Sequence, residues 1–352
     1  MIFKNKRILI TGGTGSLGQK VTKRILSFEE GRPKKVIIFS RDEAKQHQMR
    51  LEFMHKSVAT DEVIYKEANE ILEFVIGDIR SPETVHAALK DVDIVINAAA
   101  LKQVPTCEYF PMEAVSTNII GANNIVSIIN RYKLPVETVV GVSTDKACKP
   151  VNIMGMTKSI QERILIEANL KNKNTRFICV RYGNVLISRG SVIPLFVHQI
   201  NAGGPVTITD PAMTRFLMSL DKAVSTIFDA IKLAKRGETY IPKVRSARIV
   251  DIADILIGDR NIKKKFTSIR PGEKMHEILI SEEEIWRTVL RGRYFAIQPT
   301  LPELRVAKNR KRHYLKKEYS SADDPMTKKE VYALLKENDL LFTKDLSVRE
   351  GI

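Results

Sequence analysis

Arg7-Ile8-Leu9-Ile10-Thr11-Gly12-Gly13-Thr14-Gly15-Ser16-Leu17-Gly18 decides how the rest of the chain is read. The apolar run before the glycines has the character of a strand buried on both faces. The GxxGxxG spacing permits a tight turn and close approach of backbone to a pyrophosphate, whose charge would then sit at the positive end of the helix that opens at Leu17. Three glycines alone are a weak signal. Strand before, helix after and a further strand roughly 20 residues on make it a strong one for dinucleotide binding, with Gly12, Thr14, Gly15, Ser16, Leu17 and Gly18 as the cradle.

Outward from that turn, β-rich runs alternate with helical patterns, the signature of an α/β protein with a doubly wound parallel sheet. The predicted strands are Arg7–Thr11, Lys35–Ser40, Leu72–Ile76, Asp93–Ala98, Thr138–Ser143 and Phe177–Tyr182. The predicted helices are Leu17–Phe28, Asp42–Glu52, Ser81–Leu89, Pro111–Asn130 and Asn152–Leu170. Beyond Asn184 the alternation weakens, with short strands expected within Gly203–Asp210 and Glu238–Lys243. The expected organisation is a Rossmann domain over residues 1–184 to which later segments return, a smaller substrate domain over 185–280, and a charged helical extension over 281–352 ending in a helix near Thr327–Asn338.

Composition excludes several classes. With 43% hydrophobic and 28% charged residues in 352, the chain is ordinary globular material, large enough for a sizeable core and a companion unit. The amino terminus does not read as a signal peptide, and no run approaches the roughly 20 apolar residues of a membrane span. Cys107, Cys148 and Cys179 lack disulfide or metal spacing, so a reducing cytoplasm and no metal site are expected. Much of the +16 charge is local: Arg305, Lys308, Arg310, Lys311, Arg312, Lys316 and Lys317 lie together without an acid. That run reads as solvated surface, a subunit contact or a partner site, and the rest of the chain calls for no nucleic acid.

At the end of the second strand, Ser40-Arg41-Asp42 offers a hydroxyl and a guanidinium where an NAD enzyme would place an acid, which favours NADP over NAD. Asp42 could still face a ribose or cap the next helix, and Lys45 could add charge to the phosphate pocket. Asp78 and Ile79 are placed to touch adenine, although Asp78 could instead cap a helix. Ala98, Ala99 and Ala100, small residues closing the fourth strand, permit close approach of the cofactor.

Together, Gly12–Gly18, Asn97–Ala100, Ser143-Thr144-Asp145-Lys146, Arg181-Tyr182-Gly183-Asn184 and Arg270-Pro271-Gly272-Glu273-Lys274 resemble the inverting UDP-N-acetylglucosamine 4,6-dehydratases, extended short-chain dehydrogenases of bacterial glycan synthesis. The likeness covers residues 1 to 280, and its most discriminating string is Ser143–Lys146. It implies a homo-oligomer, a hexamer among the forms, acting on a UDP-N-acetylhexosamine. Elimination of water after oxidation at sugar carbon 4 needs a base at carbon 5 and an acid at the carbon 6 hydroxyl. By resemblance Lys146 is the base and Asp145 the acid, which calls for a lowered lysine pKa and a raised aspartate pKa.

The family's usual YxxxK is here Met154-Gly155-Met156-Thr157-Lys158, so a thioether that exchanges no proton replaces the phenol, while Lys158 can still bind the nicotinamide ribose. Resemblance further implies that Asn118 braces the site, that Ser143 and Tyr182 join the cofactor set, and that Lys102 serves cofactor or nucleotide sugar. Arg215 and Arg270 would hold the diphosphate and nucleoside, Glu273 a ribose hydroxyl and Asn184 a phosphate. Two rivals remain: a UDP-N-acetylglucosamine 4-epimerase, which needs no elimination pair, and a non-catalytic NADP-binding sensor.

Overall fold

The computed structural model describes residues 1–53, 71–187, 191–305 and 314–341. Of the basic run, Lys308, Arg310, Lys311 and Arg312 therefore lie outside the described residues. Strands β1 (Arg7–Thr11), β2 (Lys35–Ser40), β3 (Leu72–Ile76), β4 (Ile94–Asn97), β5 (Thr138–Thr144) and β6 (Arg176–Tyr182) form at the predicted places, with bounds shifted by a residue at most. They pair in parallel in the order β3-β2-β1-β4-β5-β6, so the order reverses between β1 and β4. In such a sheet the crevice at the reversal is where ligands bind.

Burial on both faces shows along β1 itself. Ile8 and Ile10 enter one apolar cluster and Leu9 the opposite one, as side-chain alternation in a doubly covered strand requires. Helices Ser16–Leu26, Glu43–Phe53, Pro82–Leu89 and Ile153–Lys171 follow their strands. No helix among the described residues is long and apolar enough to cross a membrane.

The sheet continues past β6. Thr239–Pro242 adds in parallel, and Tyr294–Ile297 and Thr288–Arg291 close the edge antiparallel, giving nine strands. This corrects the expected helical character from residue 281 onward: only Glu282–Ile285 is helical before that hairpin. The loop is two residues, Gly292-Arg293, with glycine first at φ +59, the backbone that a tight hairpin turn of this length demands. Arg287, Arg291 and Arg293 hid the period-2 pattern within an apparently solvated stretch.

A second apolar cluster gathers Ile193, Phe196, Ile200, Ile252, Leu256 and Val331 from helices Val192–Asn201, Ile249–Ile257 and Lys328–Glu337. The last helix thus packs beside residues from the 185–280 stretch. The small sheet Thr214–Met218 with Ser246–Arg248 adds Leu217 and Ala247 to this cluster, while Ile278–Ile280 pairs with Tyr319–Ser320 and puts Leu279 and Ile280 into the main core.

Candidate active site

At the β1 tip, Gly12 has φ +65, and a Cβ there would lie 2.9 Å from the Ala99 backbone, so glycine alone lets the β1 and β4 ends approach. Thr11 Oγ1 donates to Asn97 Oδ1 at 2.7 Å and accepts from Ala99 N at 3.3 Å, tying the two tips together beside Ala98 and Ala100. The helix that starts at Ser16 has Gly15 as its N-cap, with no side-chain cap and no acid in its first turn. Its open N–H groups and the glycine cradle fit a dinucleotide pyrophosphate. Thr14 is buried there and its carbonyl accepts from Gln19, while Ser16 and Leu17 stay half-buried.

The Ser40 hydroxyl accepts from Gln46 at 3.1 Å, and the Arg41 side chain is 55% exposed, 3.6 Å from Asp78. Of the two roles weighed for Asp42, the structure takes the cap: its carboxylate accepts from Lys45 N and also pairs with the Lys45 ammonium. Lys45 is therefore engaged locally. Asp78 does not cap; Ser81 does, accepting from Thr84 N, while Asp78 accepts three bonds from Arg80. Burial works against ionisation of Asp78, yet Arg80 and then Arg41 hold its carboxyl below the ordinary range. Ile79 is buried against Gly121, and Lys102 is exposed just past β4.

At the β5 tip the chain turns through a short 3-10 segment, Asp145–Ala147, capped by the Thr144 hydroxyl. Asp145 is fully buried. Its Oδ1 accepts from Thr144 Oγ1 at 2.9 Å and Lys146 Nζ at 3.1 Å, while Oδ2, close to Gly183, has no hydrogen-bond partner. Burial, reinforced by Glu277 and only partly offset by Lys146, raises the Asp145 pKa, as an acid requires. Lys146 departs from expectation. Its ammonium lies 3.1 Å from Glu277 Oε1 as well as from Asp145, and these two carboxylates outweigh burial and raise its pKa. The lowered value that a base calls for is not what this site produces, because Glu277, far along the chain, adds a second carboxylate beside the ammonium.

Arg215 joins the same cluster. It is buried, with Nη1 bonded to the carbonyls of Thr214 and Met275 and Nε 3.9 Å from Glu277 Oε1. Lys274 stands 3.9 Å from Glu277 Oε2 and donates to the Cys148 carbonyl at 2.7 Å. Arg270 is exposed, its N–H donating to Glu273, which also accepts from Thr209. Asn152 bonds the Gly272 carbonyl at 2.7 Å, pinning this loop over the start of helix Ile153–Lys171. Asn184 carries a buried Oδ1 with no partner.

Helix Ile153–Lys171 presses directly beneath the Asp145–Ala147 turn. A Cβ at Gly155 would lie 2.2 Å from the Lys146 carbonyl oxygen. Gly155→Ala is therefore expected to displace the turn and lower kcat by roughly 10²-fold, as a misplacement of about 1 Å can, with cofactor affinity kept. A steady-state assay beside a cofactor titration checks this. Met154 is buried in an apolar cluster with Cys107 and Ala114. Lys158 is buried, donates to Gln161, and has its pKa pushed down to about 8 by burial against the weaker pull of Cys179 and Glu162. Asn118 sits in a π-helical turn, Val115–Ile120, that interrupts the helix predicted as continuous from Pro111. The widened turn lets its amide bond both the N–H and the carbonyl of Leu101 and, at 3.0 Å, the Thr157 hydroxyl beside Lys158.

Ser143 and Tyr182, expected at the cofactor, are buried and engaged with the protein interior. The Ser143 hydroxyl donates to Glu162, and Tyr182 lies in the main core, where burial raises its pKa. The same interior holds Arg181, buried between Glu162 and Glu284 at 2.7 Å from each. Sequence reasoning missed Glu277, Glu162 and Glu284. Lys274 was at least quoted as the last residue of its motif, but no local pattern marks the other three.

A doubly wound sheet with an uncapped glycine turn at its reversal and an Asp–Lys pair, its aspartate fully buried, one strand away defines an extended short-chain dehydrogenase. The chain belongs to the family described as polysaccharide biosynthesis protein, which matches residues 8–299. It is 42% identical over 303 residues to an inverting UDP-N-acetylglucosamine 4,6-dehydratase of Campylobacter jejuni, covering 85% of each chain. It is equally 42% identical over 313 residues to a protein of Rickettsia canadensis named UDP-glucose 4-epimerase, covering 87% of each. The X-ray structure of Pen from Bacillus thuringiensis superposes with a TM-score of 0.86 at 35% identity, covering 97% of this chain and all of that one.

Proposed function

We propose that the chain is an NADP-dependent UDP-N-acetylglucosamine 4,6-dehydratase that inverts carbon 5. The observation that carries this reading is the Asp145–Lys146 pair, Asp145 fully buried and held towards its acid form and Lys146 half-buried beside it. NADP, held by Gly12–Gly18, Arg41, Ala98–Ala100 and Lys158, would supply the hydride chemistry at carbons 4 and 6. The rest falls on side chains. Lys146, once unprotonated, takes the carbon 5 hydrogen as a proton; as the carbon 5–carbon 6 double bond forms, the carbon 6–oxygen bond breaks and Asp145 protonates the departing hydroxyl to water. Arg215, Arg270, Asn184 and Glu273 would hold the UDP moiety and Lys102 its rim, with Asn118 bracing Lys158 through Thr157.

A 4-epimerase would need no such pair, and relatives carry both names. Incubation with UDP-N-acetylglucosamine followed by mass spectrometry separates them: the dehydratase product lacks one water, whereas an isomer of unchanged mass would sink this reading. A protein that binds NADP yet leaves every UDP-hexosamine intact would instead be the sensor.

For the cofactor, exposed Arg41 favours the 2′-phosphate. Arg41→Ala should weaken NADP binding by about 10-fold or more, the effect of a charge-assisted bond of about 1.5–3 kcal/mol, and leave NAD binding nearly as it was; calorimetric titration of both cofactors reads this. Free Cys107, Cys148 and Cys179 suit a cytoplasmic enzyme. Exposed Tyr109, Met112, Ile120, Met156 and Ile160 support homo-oligomeric assembly, which light scattering would detect.

A further inference from the structure

We infer that Glu277 is a positioning residue for the Asp145–Lys146 pair, fixing Lys146 between two carboxylates and linking it to the cation that meets the substrate's diphosphate. The inference rests on the dehydratase reading and deepens it. Three features single Glu277 out. It is 2% exposed, yet its Oε2 has no hydrogen-bond partner, an arrangement too unfavourable to persist without the charges around it. Its Oε1 lies 3.1 Å from Lys146 Nζ and 3.9 Å from Arg215 Nε, so one oxygen faces both the base and a candidate phosphate ligand. Its backbone is held from both sides by Ser321: the N–H donates to the Ser321 hydroxyl at 2.9 Å and the carbonyl accepts from Ser321 N at 2.8 Å.

The charged groups around Lys146 are Asp145, Glu277, Arg215 and Lys274, and those around Glu277 are Lys146, Arg215 and Lys274. Glu277 favours the protonated form of both members of the pair, while three cations keep Glu277 itself ionised. With Met154 in place of a phenol, proton transfer rests on Asp145 and Lys146, so the carboxylate that biases both also sets the working pH. Substrate phosphates arriving at Arg215 would draw on the same guanidinium, coupling occupancy of the nucleotide site to the charge on the base.

Glu277→Gln keeps the shape and removes the charge. The expected result is a kcat reduced by roughly 10²-fold, a UDP-N-acetylglucosamine KM changed far less, and a bell-shaped pH profile of kcat displaced as a whole towards acid. Both limbs should move together because Glu277 raises both groups. Glu277→Asp retains the charge and should leave the profile in place while kcat falls. Lys274→Met, useful should the glutamine variant not fold, removes an opposing cation and should move the profile towards alkali. An unmoved profile in Glu277→Gln or Lys274→Met, or equal displacement in Glu277→Gln and Glu277→Asp, overturns the inference. Absence of dehydrated product from the unmodified enzyme would instead sink the dehydratase reading.

Discussion

Lys146→Ala is expected to lower kcat for loss of water from UDP-N-acetylglucosamine by about 10²- to 10⁴-fold, the usual worth of a positioned acid or base, while NADP binds as before. The glycine turn and the Ala98–Ala100 edge lie on β1 and β4, whereas Lys146 belongs to the turn after β5 and bonds Asp145 and Glu277. Its removal also leaves Asp145 and Glu277 as two buried acids with less countercharge, so Asp145 should hold its proton more tightly and donate it less readily. Exchange of the carbon 5 hydrogen with deuterated solvent gives a direct readout. Ordinary turnover or ordinary exchange in the variant would remove Lys146 from the mechanism.

Arg181→Met should cost about 3–5 kcal/mol of stability, the typical penalty for taking one partner out of a buried ion pair. Arg181 is 3% exposed and bonds both Glu162 and Glu284, so a thioether would leave two buried carboxylates uncompensated. Burial alone would raise the Glu284 carboxyl, but Arg181 overrides it and depresses the pKa from 4.5 to about 2. A depressed carboxylate contributes stability that is complete above about pH 4.5 and is lost as the pH falls towards 2. In the variant that contribution is gone and protonation relieves Glu284 instead. The difference in Tm between the two proteins should therefore be largest near neutrality and narrow in acid, as calorimetry across pH would record; a constant gap would contradict the account.

What could be read from sequence was what neighbouring residues settle among themselves. Strands such as β1, β2, β4 and β5 announce their own burial through apolar runs, and the β5 tip presents Asp145 and Lys146 in consecutive positions. The hairpin Thr288–Ile297 escaped notice because Arg291 and Arg293 interrupt its apolar run, Arg293 reaching solvent and Arg291 pairing with buried Glu238, while its apolar side chains meet a sheet edge built from residues far earlier in the chain. The charge on Lys146 was misjudged for a related reason: a local string shows burial and one acid, but not a second acid delivered by a distant loop. Ser143 and Tyr182 share strand ends with residues expected at the cofactor, and only the packing of Glu162 and the main core shows which way they face.

The bond pair between Ser321 and Glu277 has an implication for how such enzymes can be recombined. The glycine turn and the Asp–Lys string travel together in the first half of the gene product, whereas the carboxylate beside Lys146 and the serine that steadies it arrive with the last third. A hybrid joined anywhere between those halves would inherit its proton-handling groups from two parents, and its pH optimum would belong to neither.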